Sequence, residues 1–220
     1  MDTFPIVAVA SSAGDVAAVS ELLSALPAEC SAAFLIVQAV DSSREQLLLD
    51  AIAASTTLAV TRAHDGALVE PGHVYVITTK ITLTMSGGRA RLTSGPSALH
   101  HLADMLFTSL AKERGASAIG VVLSGEGADG ACGIQAIRQA GGATLAQHPG
   151  SARFPSMPIN AIQTGCVDCV LRPNEIAREL TFRGRATAPA ADVARDAIVT
   201  EGHAGFASAR LTVAQPSIAS

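Results

Sequence analysis

Short runs of apolar residues with almost no polar alternation recur along this chain: PIVAVA (5–10), AAFLIVQ (32–38), AIGVVLS (118–124) and ATLAQ (143–147). A strand exposed on one face alternates apolar and polar side chains, whereas a strand covered on both faces does not. The segments between these runs carry helical patterns: 15–27, stopped by Pro27; 44–55; 99–115, ended by Gly115; ACGIQAIRQAGG from Ala131; and 172–182. Strands buried on both sides and separated by helices predict an α/β fold, a doubly wound, mostly parallel sheet flanked by helices. The middle section, 58–94, holds shorter strands, and TMSGGRARL predicts a small antiparallel hairpin turning at Gly87–Gly88. CVDCVL (166–171) within GCVDCVL reads as the last strand.

The 220 residues suffice for one well-buried domain. From about residue 184 the chain becomes rich in Ala, Ser and Pro and loses its apolar density, so 1–183 is the expected domain and 184–220 an expected flexible tail. Aromatic residues make up 3% of the chain, Trp is absent and the net charge is −4. Base-stacking readers of nucleic acid need aromatics on a basic surface, so a nucleic-acid partner is not expected. No apolar run approaches the ~20 residues of a membrane-spanning helix, and the N-terminus lacks a basic leader region, so no membrane insertion and a cytoplasmic location are expected.

Parallel sheets bind ligands at the carboxyl ends of their strands. Two loops there stand out: ASSAGD (10–15) and SGEGADG (124–130). In the second, Gly125, Gly127 and Gly130 match the dinucleotide fingerprint G-x-G-x-x-G. The next strand, however, ends in Gln147 and His148 rather than in the acidic residue that binds ribose, and Asp129 inside the loop would repel a pyrophosphate. No cofactor is therefore expected, and the glycines fit a tight strand-to-helix turn. In the first loop, Ser12 sits where a nucleophile at a strand–turn–helix elbow would sit. Ser12 with Asp15 three residues on also fits a capping box that merely starts a helix. The residues alone leave both readings open.

Four cysteines (Cys30, Cys132, Cys166, Cys169) suggest metal or redox chemistry only at CVDC (166–169). A spacing of three in a strand puts the two thiols on opposite faces, and no second ligand pair is near in sequence. Buried, inert cysteines and no metal are expected.

The blocks IVAVASSAGD, FLIVQ, DGALVEPGHVYVITTKITLTMSGGRARL, LADMLFTSLA, GVVLSGEGADGACGIQAIRQAGGATLAQ, FPSMPINAIQTGCVDCVL and NEIAREL occur in this order between about residues 4 and 182. Together they resemble the catalytic domain of CheB-type chemotaxis protein-glutamate methylesterases, most closely the version found without a receiver domain in cis. The resemblance implies a doubly wound fold and a metal-free Ser–His–Asp triad. It further implies hydrolysis of glutamate methyl esters on the cytoplasmic helices of chemoreceptors, or on a related signalling protein. By the family's register the serine falls on Ser12 rather than Ser11, and the aspartate of the G-x-G-x-D-G loop on Asp129. The family's histidine follows a glutamine at the end of the second strand; here that residue is Ala39, which can carry no proton. Asp15 and Glu126 replace uncharged family residues and add negative charge near a developing oxyanion. Two functions from different classes follow: a methylesterase with its base supplied from elsewhere or lost, and a catalytically silent binding module of the same fold. His101 and His148, both at element ends near the expected site, are the first substitutes to consider.

Overall fold

The computed structural model describes residues 4–12, 15–38, 42–77, 81–94 and 101–187, all within one compact unit (Met1–Ala188). The tail expected from residue 184 lies outside the described residues from 188 onward. The last helix, expected to end near 182, runs to Thr187.

The strands are β1 (Ile6–Ser11), β2 (Ala33–Gln38), β3 (Ala59–Arg62), β4 (His73–Ile77), β5 (Ile81–Ser86), β6 (Arg89–Ser94), β7 (Ala118–Val122), β8 (Ala143–Gln147) and β9 (Cys169–Leu171). The helices are α1 (Val16–Ser24), α2 (Glu45–Ala54), α3 (Leu102–Arg114), α4 (Ala131–Gln139), α5 (Ser156–Gln163) and α6 (Pro173–Thr187). Seven strands form one sheet in the order β3-β4-β2-β1-β7-β8-β9, and every pairing is parallel. β5 and β6 form the separate antiparallel hairpin, with Gly87 and Gly88 at φ +62° and +73° in its turn. Positive φ there is what Gly-Gly supplies without a Cβ clash.

The alternation of side chains along β1 divides the core in two. Ile6, Ala8 and Ala10 face α3, α4 and α5, together with the hairpin. Val7 and Val9 face α1, α2 and α6. Every residue of β1, β2 and β7 is buried, which is why these strands read as continuous apolar runs. On the first face the packing is tight enough to require glycine. A Cβ on Gly120 of β7 would lie 2.7 Å from Ile137 Cδ1, and one on Gly133 of α4 would lie 2.5 Å from Phe107 Cβ. These two glycines let α3 and α4 close over the sheet around the buried Phe107 ring.

The chain builds outward from β1 through β2 to β4 and β3, then returns to the other side of β1 as β7, β8 and β9. The strand order thus reverses beside β1, and the crevice at such a switch point opens beyond the carboxyl ends of β1 and β7. Both loops singled out in the sequence leave from there.

The final strand is shorter than GCVDCVL suggested. Cys166 lies ahead of it, and a separate network fixes the turn: Asp168 accepts from the Thr144 amide (2.9 Å) and hydroxyl (3.0 Å) and pairs with Arg138 (2.6 Å). Cys166 packs on the core facing α3, Cys169 on the core facing α1, so the two thiols do point to opposite sides. Neither is fully buried, and Cys132 is exposed; the expectation of buried cysteines is corrected accordingly. Among the described residues no helix is long and apolar enough to cross a membrane.

Candidate active site

Ser11 closes β1 and Ser12 follows it, and their hydroxyls are engaged differently. Ser11 is almost fully buried (2% exposed) in the wall of a cavity, its hydroxyl donating to the Ser124 carbonyl at 2.9 Å. Ser12 is half-buried and lines the same cavity, of about 260 Å³, at the carboxyl edge of the sheet. The Ser12 Oγ accepts a hydrogen bond from the Glu126 backbone N–H at 2.9 Å, across the gap between the two loops. The Ser12 amide is engaged with the Ser124 carbonyl (3.2 Å) and is not free for a ligand.

The capping box anticipated for Ser12 and Asp15 does not form. α1 begins at Val16, with Asp15 as its N-cap and no side-chain capping bond. The reason is tertiary: the hydroxyl that would have capped the helix is held by an amide 114 residues further on. Ala13 and Gly14, between them, lie outside the described residues.

The second loop is shaped by close approach. A Cβ on Gly125 would collide with Met157 Sδ and stand 2.6 Å from Ser12 Oγ, so a side chain at 125 would fill the space Ser12 occupies. Gly125 is pinned from both sides, its N–H donating to the Phe154 carbonyl (2.9 Å) and its carbonyl accepting from the Met157 N–H (3.0 Å). Gly127 and Gly130 adopt φ +88° and +95°, turning the chain so that Asp129 faces the same cavity as Ser12. The glycines present a carboxylate.

Asp129 is held rigidly. Its Oδ2 accepts from the Ala103 N–H and its Oδ1 from the Asp104 N–H, each at 3.0 Å, which docks the first turn of α3 onto the loop. Asp104 extends the chain of contacts by accepting from the Gly133 N–H (2.7 Å) at the start of α4. Burial pushes the Asp129 carboxyl above the ordinary aspartate range, against the lowering effect of the two backbone bonds; the nearby Asp104 raises it further and His101 lowers it. The remaining cavity wall is apolar (Ala10, Val37, Leu102, Ala103, Met157), and Glu126, also on the rim, adds a second carboxylate. Such a pocket suits a small uncharged group, and no cation among its lining residues favours an anionic one.

Beneath the cavity lies a polar layer with no simple signature in the sequence. Ser124 donates its amide to Gln147 Oε1 (2.8 Å), its hydroxyl accepts from the Phe154 N–H (3.0 Å), and Gln147 Nε2 reaches Ser151 (3.3 Å). Ser156 ties the loop to α5 by donating to the Gly125 carbonyl (3.1 Å). These residues position Ser12 indirectly; the polar ends of otherwise apolar strands were the available signal.

The histidines are distributed unevenly. Ala39 and His100 lie outside the described residues, as does His203. His73 Nδ1 is bonded to the Pro71 carbonyl and His148 Nδ1 to the Gly150 N–H, and neither lines the cavity. His101, the N-cap of α3, is not among the lining residues either, but its ring nitrogen lies within 4.8 Å of carboxylate oxygens of both Asp104 and Asp129. These three side chains could in principle hold a cation. All but one of the carboxylate oxygens, however, already accept a backbone N–H.

A profile of the CheB methylesterase family matches residues 7–180. The chain is 37% identical over 181 residues to protein-glutamate methylesterase/protein-glutamine glutaminase 3 of Anaeromyxobacter dehalogenans, covering 80% of this chain and 53% of that protein. It is 34% identical over 181 residues to the corresponding Escherichia coli K12 protein, covering 80% of this chain and 52% of that one. The chain thus spans about half the length of the curated relatives it matches. The crystal structure of the Thermotoga maritima CheB methylesterase catalytic domain superposes with a TM-score of 0.74 over 82% of this chain and 98% of that one, at 24% identity, a likeness of fold. With a profile match across most of its length and relatives above 30% identity, this chain belongs to the CheB methylesterase family.

Proposed function

We propose that this chain is a serine ester hydrolase of the protein-glutamate methylesterase type, acting on glutamate methyl esters of chemoreceptor cytoplasmic helices or a related signalling protein. The observation that carries this reading is the shared cavity: the Ser12 hydroxyl and the Asp129 carboxylate, from loops far apart in the chain, open onto one small, largely apolar pocket. In this reading Ser12 Oγ attacks the ester carbonyl, its proton passes to a base and then to the departing methoxide, and water repeats the sequence on the acyl-serine. Asp129 orients the base. Repulsion by Glu126 and Asp129 assists release of the product carboxylate, since the ester is neutral and the acid is not.

Ala39 at the family's histidine position favours a second reading, a binding module that retains the receptor-facing surface without turnover. The two part company in one assay. Methanol release from methylated receptor, or hydrolysis of p-nitrophenyl acetate, is expected to fall to background in Ser12→Ala and to rise in Ala39→His. A site without a general base forfeits about 10²–10⁴-fold, so the size of the rise in Ala39→His reports how much of that a base from elsewhere in the chain already supplies. Equal, background-level rates in wild type and Ser12→Ala, with receptor binding intact, would establish the binding module instead.

A further inference from the structure

Proton transfer from Ser12 needs a group that titrates near neutral pH and can be oriented by Asp129. Among the described histidines, His101 alone has a ring nitrogen close to Asp129, within 4.8 Å of its carboxylate. That proximity is built into the fold. The two amides that bind Asp129 belong to Ala103 and Asp104, so the residue opening the helix is delivered to the carboxylate by the same docking. The ring is loosely held: 69% of the side chain is exposed, and Nδ1 stands at an ion-pair distance of 3.7 Å from Asp104 Oδ2, beyond hydrogen-bond length. The two residues that follow it, Leu102 and Ala103, line the cavity with Ser12.

We propose that His101 is the general base of this site, entering the cavity mouth from the start of α3 rather than from the end of β2. The inference rests on the hydrolase reading given above. In the working geometry the imidazole turns about χ1, one ring nitrogen donating to the Asp129–Asp104 carboxylate pair and the other accepting from Ser12 Oγ–H. The serine proton moves to that nitrogen as Oγ bonds to the ester carbonyl carbon. When the tetrahedral adduct collapses, the C–OCH₃ bond breaks and the same proton leaves with methoxide as methanol. In the second half the imidazole takes a proton from water, hydroxide attacks the acyl-serine, and the proton returns to Ser12. No further reactant is needed.

The test uses the full chain, p-nitrophenyl acetate and a small glutamate γ-methyl ester, with wild type, Ser12→Ala, His101→Ala and His101→Gln. Because the ring is largely exposed and only loosely paired with Asp104, both His101 variants are expected to fold, checked by circular dichroism and thermal unfolding. The expected result is a fall in kcat of about a hundredfold or more in His101→Ala, to near the Ser12→Ala level. Free imidazole is expected to restore part of the rate in His101→Ala and none in Ser12→Ala, a rescue that a merely structural role would not produce. If Ser12→Ala abolishes the rate while His101→Ala matches wild type, His101 is not the base and the hydrolase reading survives. If wild type is already no faster than Ser12→Ala, the hydrolase reading fails and takes this inference with it.

Discussion

At the scale of single residues, the proposed chemistry turns on how Ser12 and Asp129 are held. Asp129 is a carboxylate taken part-way out of water and compensated by two backbone N–H bonds. Asp129→Asn keeps the shape but turns one acceptor into a donor facing an amide, a mismatch that costs about 1–3 kcal/mol in chemical denaturation. If Asp129 orients the base, turnover falls with it, by about 10⁴-fold where a triad aspartate is lost in this way. The pH dependence has a definite sign. Burial raises the native-state pKa of Asp129, so over a window above the ordinary aspartate range the native chain keeps a proton that the unfolded chain has released. Stability contributed by this group therefore falls as pH rises through that window. Urea titrations at a series of pH values should show wild type losing stability relative to Asp129→Asn across that interval; a difference independent of pH would contradict the assignment.

The elements add what no single residue provides. The strand-to-helix loop after β7 reaches Ser12 only because Gly125 has no side chain, and α4 reaches α3 only because Gly133 has none. Gly125→Ala is expected to displace Met157 or Ser12, abolishing turnover and lowering stability by about 1–3 kcal/mol, the usual cost of overpacking. Gly133→Ala presses on Phe107 and should carry a similar stability cost. Its effect on turnover then reports whether the α3 N-terminus must sit where Asp129 holds it. The same level explains where sequence reading was accurate. Helix and strand positions were legible because β1, β2 and β7 are buried on both faces and their neighbours are amphipathic. Boundaries shifted where tertiary contacts intervene: Asp168 and Thr144 shorten the last strand, and α6 runs on to Thr187, past the point where apolar density fades. The Ser12–Asp15 capping box, a sound local expectation, yields to a tertiary hydrogen bond from Glu126.

For the whole molecule, the described residues form two cores, one on either face of a single parallel sheet. We expect a chain ended after Ala188 to unfold at the same temperature as the full chain, within about 2 °C, in a calorimetric scan; a drop of the ~4 °C that roughly 1 kcal/mol produces would show that the C-terminal segment packs on the domain. The apolar runs, their spacing and the glycine-rich loop were enough to determine an α/β sheet with a candidate site at its carboxyl edge, because burial on both faces leaves a direct imprint on composition. They were enough, too, to nominate Ser12 and Asp129. What only the tertiary structure decided is which groups meet: that β7 returns beside β1, that the Ser11 hydroxyl is tied to the Ser124 carbonyl while Ser12 Oγ meets the Glu126 amide, and that the start of α3 carries His101 to Asp129. Those juxtapositions join residues far apart in the chain, and they are set by strand order and helix docking, which local sequence patterns do not encode.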